Sequence, residues 1–290
     1  MTLVSILLAS VGIFHIGCLW QTTRGKSRTA PINSSLSFSN DNNNTGSDAA
    51  FSISVCIPAI PRDVDSGCLD ELIYSIKRQS ISPAEVIISF SNATYPEAKH
   101  VRTLARETVA PVPVKVLRST EVCVQGKSRN NAVLASTAEI ISFIDADDKM
   151  HPHRLEAIQE AFREHRDLRV LLHGYVESKD EFQWELKPML TPSAYAVVGK
   201  EEICKSELRS RHQPHLDLSV HHAHVTVKRS IFEEFSYDES PESYRIEDSL
   251  FVRDVVAAAC SRQNVSDLLF LKAPLSLYRS KRATCNKRDD

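Results

Sequence analysis

The sequence predicts an α/β domain, a layered fold with a mixed, largely parallel sheet flanked by helices. Three observations carry this. Short apolar, β-branched runs recur along the chain, as in Ser52–Ile60, Ala84–Phe90 and Ile140–Ile144. Between them lie segments with apolar residues at helical spacing, such as Leu69, Leu72, Ile73 and Ile76. Strand alternating with helix favours parallel pairing through crossover helices. Third, Asp145, Asp147 and Asp148 follow directly on one strand. In parallel sheets, ligands gather at the carboxyl ends of strands.

The elements follow in order. SISVCIPAI is a first buried strand, whose donor pattern ends at Pro58. The helix through Leu69–Ile76 takes Asp65 or Ser66 as its cap. AEVIISF is the second strand, and Ala98–Thr108 the next helix. VPVKVLRS supplies a third strand and Lys127–Thr137 a helix. IISFI is the fourth strand, and Pro152 suits the first turn of the helix carrying Leu155, Ile158 and Phe162. LRVLLHGYV is the fifth strand. Beyond it HAHVTVKRSIFEEF reads as a strand and short helix, and YRIEDSLFVRDVVAAA as a helix with Glu247 and Asp248 in its first turn. The second half has no look of an independent domain.

With 290 residues the chain can bury a sizeable core, and a net charge of -2 gives no electrostatic case for a nucleic-acid partner. Leu3–Trp20 carries no charged side chain and is about long enough to span a bilayer, which needs roughly 17–25 residues. A cleaved signal peptide or a core helix are the alternatives. No Lys or Arg precedes the run and no small-x-small site follows it, so an uncleaved signal-anchor over residues 1–22 fits better. Residues 23–50 are polar and low in complexity, a flexible stem before one domain at 51–290. Arg24, Lys26 and Arg28 argue for a cytoplasmic continuation. Glycosylation patterns at Asn33, Asn43, Asn92 and Asn264 argue for a lumenal one, in the Golgi or ER, or for secretion after cleavage. Six cysteines outside the apolar run allow fifteen pairings, and buried free thiols are equally open.

The aspartates demand an explanation. Two carboxylates roughly 4 Å apart at an effective dielectric of about 20 repel by about 4 kcal/mol. Capping of the next helix accounts for Asp148 but not for three carboxylates. A calcium loop needs a spaced ligand series that is missing here. A Mn²⁺ or Mg²⁺ site shared with a diphosphate turns the repulsion into attraction.

GKSRNNAVLASTAEIISFIDADDKMHPHRL resembles the central motif of the family-2 glycosyltransferases with the Rossmann-like GT-A fold. SVCIPAIPRD and LDELIYSIKRQSISPAEVIIS resemble that family's opening strand, helix and strand. VKRSIFEEFSYDE and RIEDSLFVRDVV resemble its acceptor-side strand and Glu-Asp motif. The likeness runs from about Ser52 to Arg279, with the motifs in the family's order. It implies Asp147 as metal ligand and Asp145 as a partner on the ribose or the metal. It implies Pro58, Lys127 and Arg129 at the nucleotide. Asp248 becomes the catalytic base, with Glu247 beside it on the acceptor. PLSLYRSKRAT resembles a tail closing over the diphosphate, which brings in Tyr278 and Arg279.

The implied reaction moves a sugar from a nucleotide donor, UDP-linked by default, to a hydroxyl of a glycan, glycoprotein or glycolipid, with inversion. A hexosyl- or N-acetylhexosaminyltransferase is the expected type. A metal-dependent nucleotidyltransferase and a silent sugar- or nucleotide-binding protein are the alternatives. The chain departs from the pattern at two places. The second strand ends Ser89-Phe90-Ser91-Asn92, without the carboxylate that reads the base in many relatives. His212, His215, His221, His222 and His224 form a cluster that the pattern lacks, read as surface or acceptor groove, with metal binding as the other option.

Overall fold

The computed structural model describes residues 50–178, 196–209, 222–263, 267–279 and Cys285. The anchor expected at 1–22 and all but the last residue of the stem expected at 23–50 lie outside the described residues, as do Asn33, Asn43, Asn264 and three of the histidines, His212, His215 and His221. Among the described residues no helix is long and apolar enough to cross a membrane.

Strand β1 (Ile53–Ala59) is buried along its whole length. It lies between β2 (Glu85–Phe90) and β4 (Ile140–Phe143), parallel to both, and β3 (Val114–Arg118) adds a parallel edge beside β2. Strands covered on both faces need apolar residues at successive positions, which is why these segments read as continuous runs. Side-chain alternation divides them between two cores. Val55 and Ile57 face α2 (Cys68–Lys77), α3 (Tyr95–Val109) and α5 (Arg154–Glu164). Cys56, Ile141 and Phe143 face α4 (Gln125–Ala135), α6 (Lys200–Arg209) and α7 (Glu247–Ser261).

From β3 through β4 every pairing is parallel. Next to β4, β8 (Thr226–Lys228) runs antiparallel, then β6 (Val170–Ser178) antiparallel to β8, then β9 (Leu268–Arg279) parallel to β6. β5 (Lys149–Met150) and β7 (Val197–Gly199) both pair antiparallel with β9. Among the described residues four of the eight strand pairings are antiparallel and the four parallel ones are the longer, so the sheet is mixed and largely parallel by length, as expected. Of PLSLYRSKRAT, expected as a closing tail, the part through Arg279 is the end of β9, and the rest lies outside the described residues. Pro274 sits where β9 shifts register against Gly174, and a proline is tolerated at such an irregularity.

Helix starts also differ from expectation. A five-residue helix α1 (Pro61–Asp65) precedes α2, and the residue capping α2 is Gly67 at φ 76°, not Asp65 or Ser66. Glycine takes that left-handed turn without a Cβ penalty. α3 begins three residues early because Thr94 and Glu97 cap each other's backbone N–H. α5 starts at Arg154, after Pro152 rather than on it.

Two disulfides join Cys68 to Cys285 and Cys204 to Cys260, while Cys56 and Cys123 are free. Gly126 brings α4 against the backbone of Asp238: a Cβ there would lie 2.2 Å from the Asp238 carbonyl oxygen. Gly126→Ala must push two main-chain segments apart. It is expected to lower unfolding stability by about 1–3 kcal/mol. Urea denaturation checks this, and an unchanged midpoint would show that the two segments do not touch.

Candidate active site

β4 delivers the chain to a tight turn, in which the Asp148 N–H donates to the Asp145 carbonyl at 3.2 Å. Behind it Arg154, fully buried, donates to the Phe143 carbonyl at 2.7 Å. Asp145 and Asp147 line a cleft at the carboxyl ends of β1 and β4, together with Pro58, Arg62, Asp63 and Ser128. The three turn carboxylates each offer an oxygen within 4.8 Å of the others.

Their surroundings separate them. Asp148 is fully buried. Its Oδ2 lies 2.7 Å from His224 Nε2, and its Oδ1 accepts the Arg279 backbone N–H at 2.8 Å. Asp148 therefore does not cap α5, as the local sequence suggests; it is tied inward to two distant segments. Burial, with Asp147 and Asp145 close by, pushes its carboxyl well above the usual range. Asp145 gives Oδ1 to Arg129 Nη2 at 2.7 Å. Asp147 is raised by burial and by Asp145, against a lowering from Arg62 and Arg279.

Arg129 comes from α4 and is completely enclosed. Its Nη1 donates to Glu247 Oε1 at 2.8 Å, and its guanidinium lies 5.4 Å from the Tyr237 ring centroid. Burial alone would lower its pKa; Asp145, Tyr237, Asp248 and Glu247 reverse that and raise it. One residue on, Asn130 holds the Tyr237 main chain, donating to its carbonyl and accepting its N–H. Tyr237 stacks on Phe251 of α7, with centroids 4.1 Å apart. The Arg-Asn pair thus docks α4 on α7 and brings the Glu-Asp pair to the aspartate turn.

The expected site residues are accordingly not equivalent. Pro58, Asp145 and Asp147 share the cleft. Arg129 sits beneath it, gripping Asp145 rather than facing a ligand. Glu247 is 1% exposed, and its Oε2 has no hydrogen-bond partner among the described residues. Asp248 is half-buried and accepts the Ser249 N–H. Lys127 is half-buried and is not among the residues lining the cleft. Arg279 braces the turn: its Nη1 donates to the Asp147 carbonyl at 3.2 Å, and its Nη2 pairs with Glu71. Tyr278 packs edge-on against Tyr175. His224 lies behind the turn, not in an open groove.

Sequence reasoning missed Asp63. It sits in α1, 7% exposed, with Oδ2 accepting the Ile60 N–H. Burial pushes its carboxyl up to about 7, with Asp147 and Asp145 adding to the rise. Nothing in PRDVD marks it, because the charges that perturb it come from the β4 turn. Oxygen donors in a negatively charged cleft suit a small hard divalent cation. Asp145 Oδ2 and the Asp147 carboxylate fit that role. Asp148 does not, since each of its oxygens is already engaged in a hydrogen bond.

The sequence profile of Glycosyl transferase family 2 matches residues 54–236, well over half of the chain. The chain belongs to that family. Among solved structures, the chain resembles S. aureus TarS 1-349 in complex with UDP, at TM-score 0.55 and 17% identity over 79% of this chain and 60% of that one. The complex of the same protein with UDP-GlcNAc gives 0.54 and 19% over 80% and 59%. Full S. aureus TarS is covered over 37% of its length. The chain thus spans about three fifths of the TarS fragment it matches, and the likeness supports the GT-A fold. No curated protein matches the chain.

A second cavity of about 400 Å³ adjoins the cleft, sharing Cys123 and Ser128. Ser89, Ser91, Arg118 and Asn131 supply its polar lining.

An acid whose folded pKa lies above its ordinary value of 3.8 binds more protons folded than unfolded between the two values. Its contribution to stability then falls as pH rises through that window. Asp63→Asn is expected to be more stable than wild type above about pH 7 in metal-free buffer, the difference shrinking toward about pH 4. Thermal melts across pH check this; parallel profiles would contradict it.

Proposed function

We propose that this glycosyltransferase moves a sugar from a nucleoside-diphosphate donor, a UDP-sugar, to a hydroxyl on a glycan, glycoprotein or glycolipid, with inversion. The transferred group is a hexosyl or N-acetylhexosaminyl unit. The observation that carries the proposal is the pair Asp145 and Asp147, facing one cleft while Asp148 is tied inward. They would hold Mn²⁺ or Mg²⁺. When bound, the cation supplies positive charge to the departing diphosphate. The TarS complexes with UDP and UDP-GlcNAc support a uridine donor.

The chain's own groups do the rest. Pro58 and the adjoining cavity would seat the nucleoside, with Ser89, Ser91 and Asn131 offering hydroxyl and amide groups in place of the absent carboxylate. Arg129 orients Asp145 and Glu247 together. Lys127 and Arg279 are assigned to the diphosphate side, Arg279 through its hold on the turn. Asp248 takes the proton of the acceptor hydroxyl as the new bond forms, and Glu247, through Oε2, helps to place that hydroxyl. Inversion in one displacement needs no nucleophilic side chain.

We place the catalytic domain in the lumen of the Golgi or ER, tethered by the N-terminal apolar run. Two disulfides and an exposed Asn92 support an oxidising compartment. A glycosidase-sensitive shift in gel mobility checks the orientation.

Release of nucleoside diphosphate from a UDP-sugar panel with Mn²⁺ tests the activity; release of pyrophosphate would point to nucleotidyl transfer and overturn it. Asp147→Asn is expected to lower cation-dependent turnover by about 100-fold or more with the fold intact. Asp248→Asn is expected to bind donor normally and lose transfer by about 10²–10⁴-fold. Unchanged transfer would remove Asp248 as the base.

A further inference from the structure

A buried polar frame lies directly behind the aspartate turn. Asp148 and His224, 0% and 1% exposed at their side chains, meet at 2.7 Å. Whichever of them carries the proton, one hydrogen bond joins them. His224 is itself held on two sides. Its carbonyl accepts from Arg154 Nη2 at 3.3 Å, the same nitrogen that donates to the Phe143 carbonyl, two residues before Asp145. Its ring stacks on His173, with centroids 6.4 Å apart and planes 21° from parallel. The neighbouring Val225 carbonyl accepts the Phe143 N–H, so the end of β4 and the His224 segment move as one piece.

The turn has few remaining freedoms. Asp148 closes it through its N–H to the Asp145 carbonyl, and the Arg279 backbone holds the other Asp148 oxygen. A rotation that withdrew Asp148 from His224 would carry its neighbour Asp147 with it. A buried carboxylate that lost its partner would be costly to leave in place, and the turn would reorganise to reach water.

We propose that His224, acting through Asp148, is a positioning residue for the cation site. It holds the turn so that the Asp145 and Asp147 carboxylates stay together at the cleft. This rests on the assignment of those two residues as cation ligands. His224 is not a ligand here: its Nε2 is engaged by Asp148, and it is not among the residues that line the cleft.

The test is Mn²⁺ affinity of the full chain without donor, followed through the electron paramagnetic resonance of free Mn²⁺. His224→Leu keeps volume and removes every polar atom. It is expected to weaken Mn²⁺ binding about 10–100-fold, the range for residues that orient metal ligands. His224→Gln keeps an amide at the Nε2 position and is expected to stay within about 3-fold of wild type, well short of that loss. Thermal melts establish which variants are folded. Should His224→Leu not fold, His224→Asn replaces it, because its shorter amide does not reach Asp148 Oδ2. A folded Leu or Asn variant with wild-type affinity overturns the positioning role alone. Absence of Mn²⁺ binding by the wild type overturns the cation assignment, and this proposal with it.

Discussion

Everything in the site depends on one buried cation. Arg129 has no contact with solvent, and an isolated guanidinium in that position would be untenable. Its two terminal nitrogens therefore bind Asp145 and Glu247, 16 and 118 residues away in sequence. That requirement fixes the aspartate turn and the first turn of α7 against a common centre. The Tyr237 ring beside the guanidinium and Phe251 behind it complete the joint. The Asp145 and Glu247 carboxylates are thereby positioned by the same residue.

A second cation balances the underside. Arg154 is also fully buried, and burial draws its pKa down to about 9, with Asp148 resisting the fall. Its bonds run to main-chain carbonyls and hydroxyls, Phe143, His224, Ser142 and Ser276, which join β4, the approach to β8, and β9. Repulsion among three adjacent aspartates is thus met in different ways. Asp145 has Arg129 and Asp148 has His224 with the Arg279 N–H. Asp147 is left in the cleft with the least compensation, where a divalent ion would supply it.

The sequence shows what depends on neighbours within a few residues and hides what depends on distant ones. β1, β2, β4 and α7 could be read directly, because both-face burial and 3.6-residue spacing are local patterns. The Asp145–Asp147 cluster was visible as a charge excess with no local remedy. The inward turn of Asp148 was not, since its partner His224 lies 76 residues on; the visible local role was a helix cap. Arg129 looked like a ligand contact for the same reason: its burial depends on Glu247 and Tyr237. β9 was obscured by Lys272 and Pro274, which interrupt its apolar run at the point where the pairing itself is irregular. Asp63 carried no signal at all, being a cleft residue only because α1 lays it beside β4.

Membership of Glycosyl transferase family 2 and this geometry lead to the same centre, a cleft at the strand ends with acidic groups of unequal burial. The account stands or falls on whether Arg129 couples the two halves of that centre. A double-mutant cycle of Arg129→Met and Glu247→Leu, measured by urea unfolding, tests it most directly. Arg129→Met leaves the Glu247 and Asp145 carboxylates without their cation, Glu247→Leu takes one of two partners from Arg129, and each is expected to destabilise by about 3–5 kcal/mol. The double change is expected to fall short of their sum by about 2–3 kcal/mol. Losses that add to within about 0.5 kcal/mol would contradict the account.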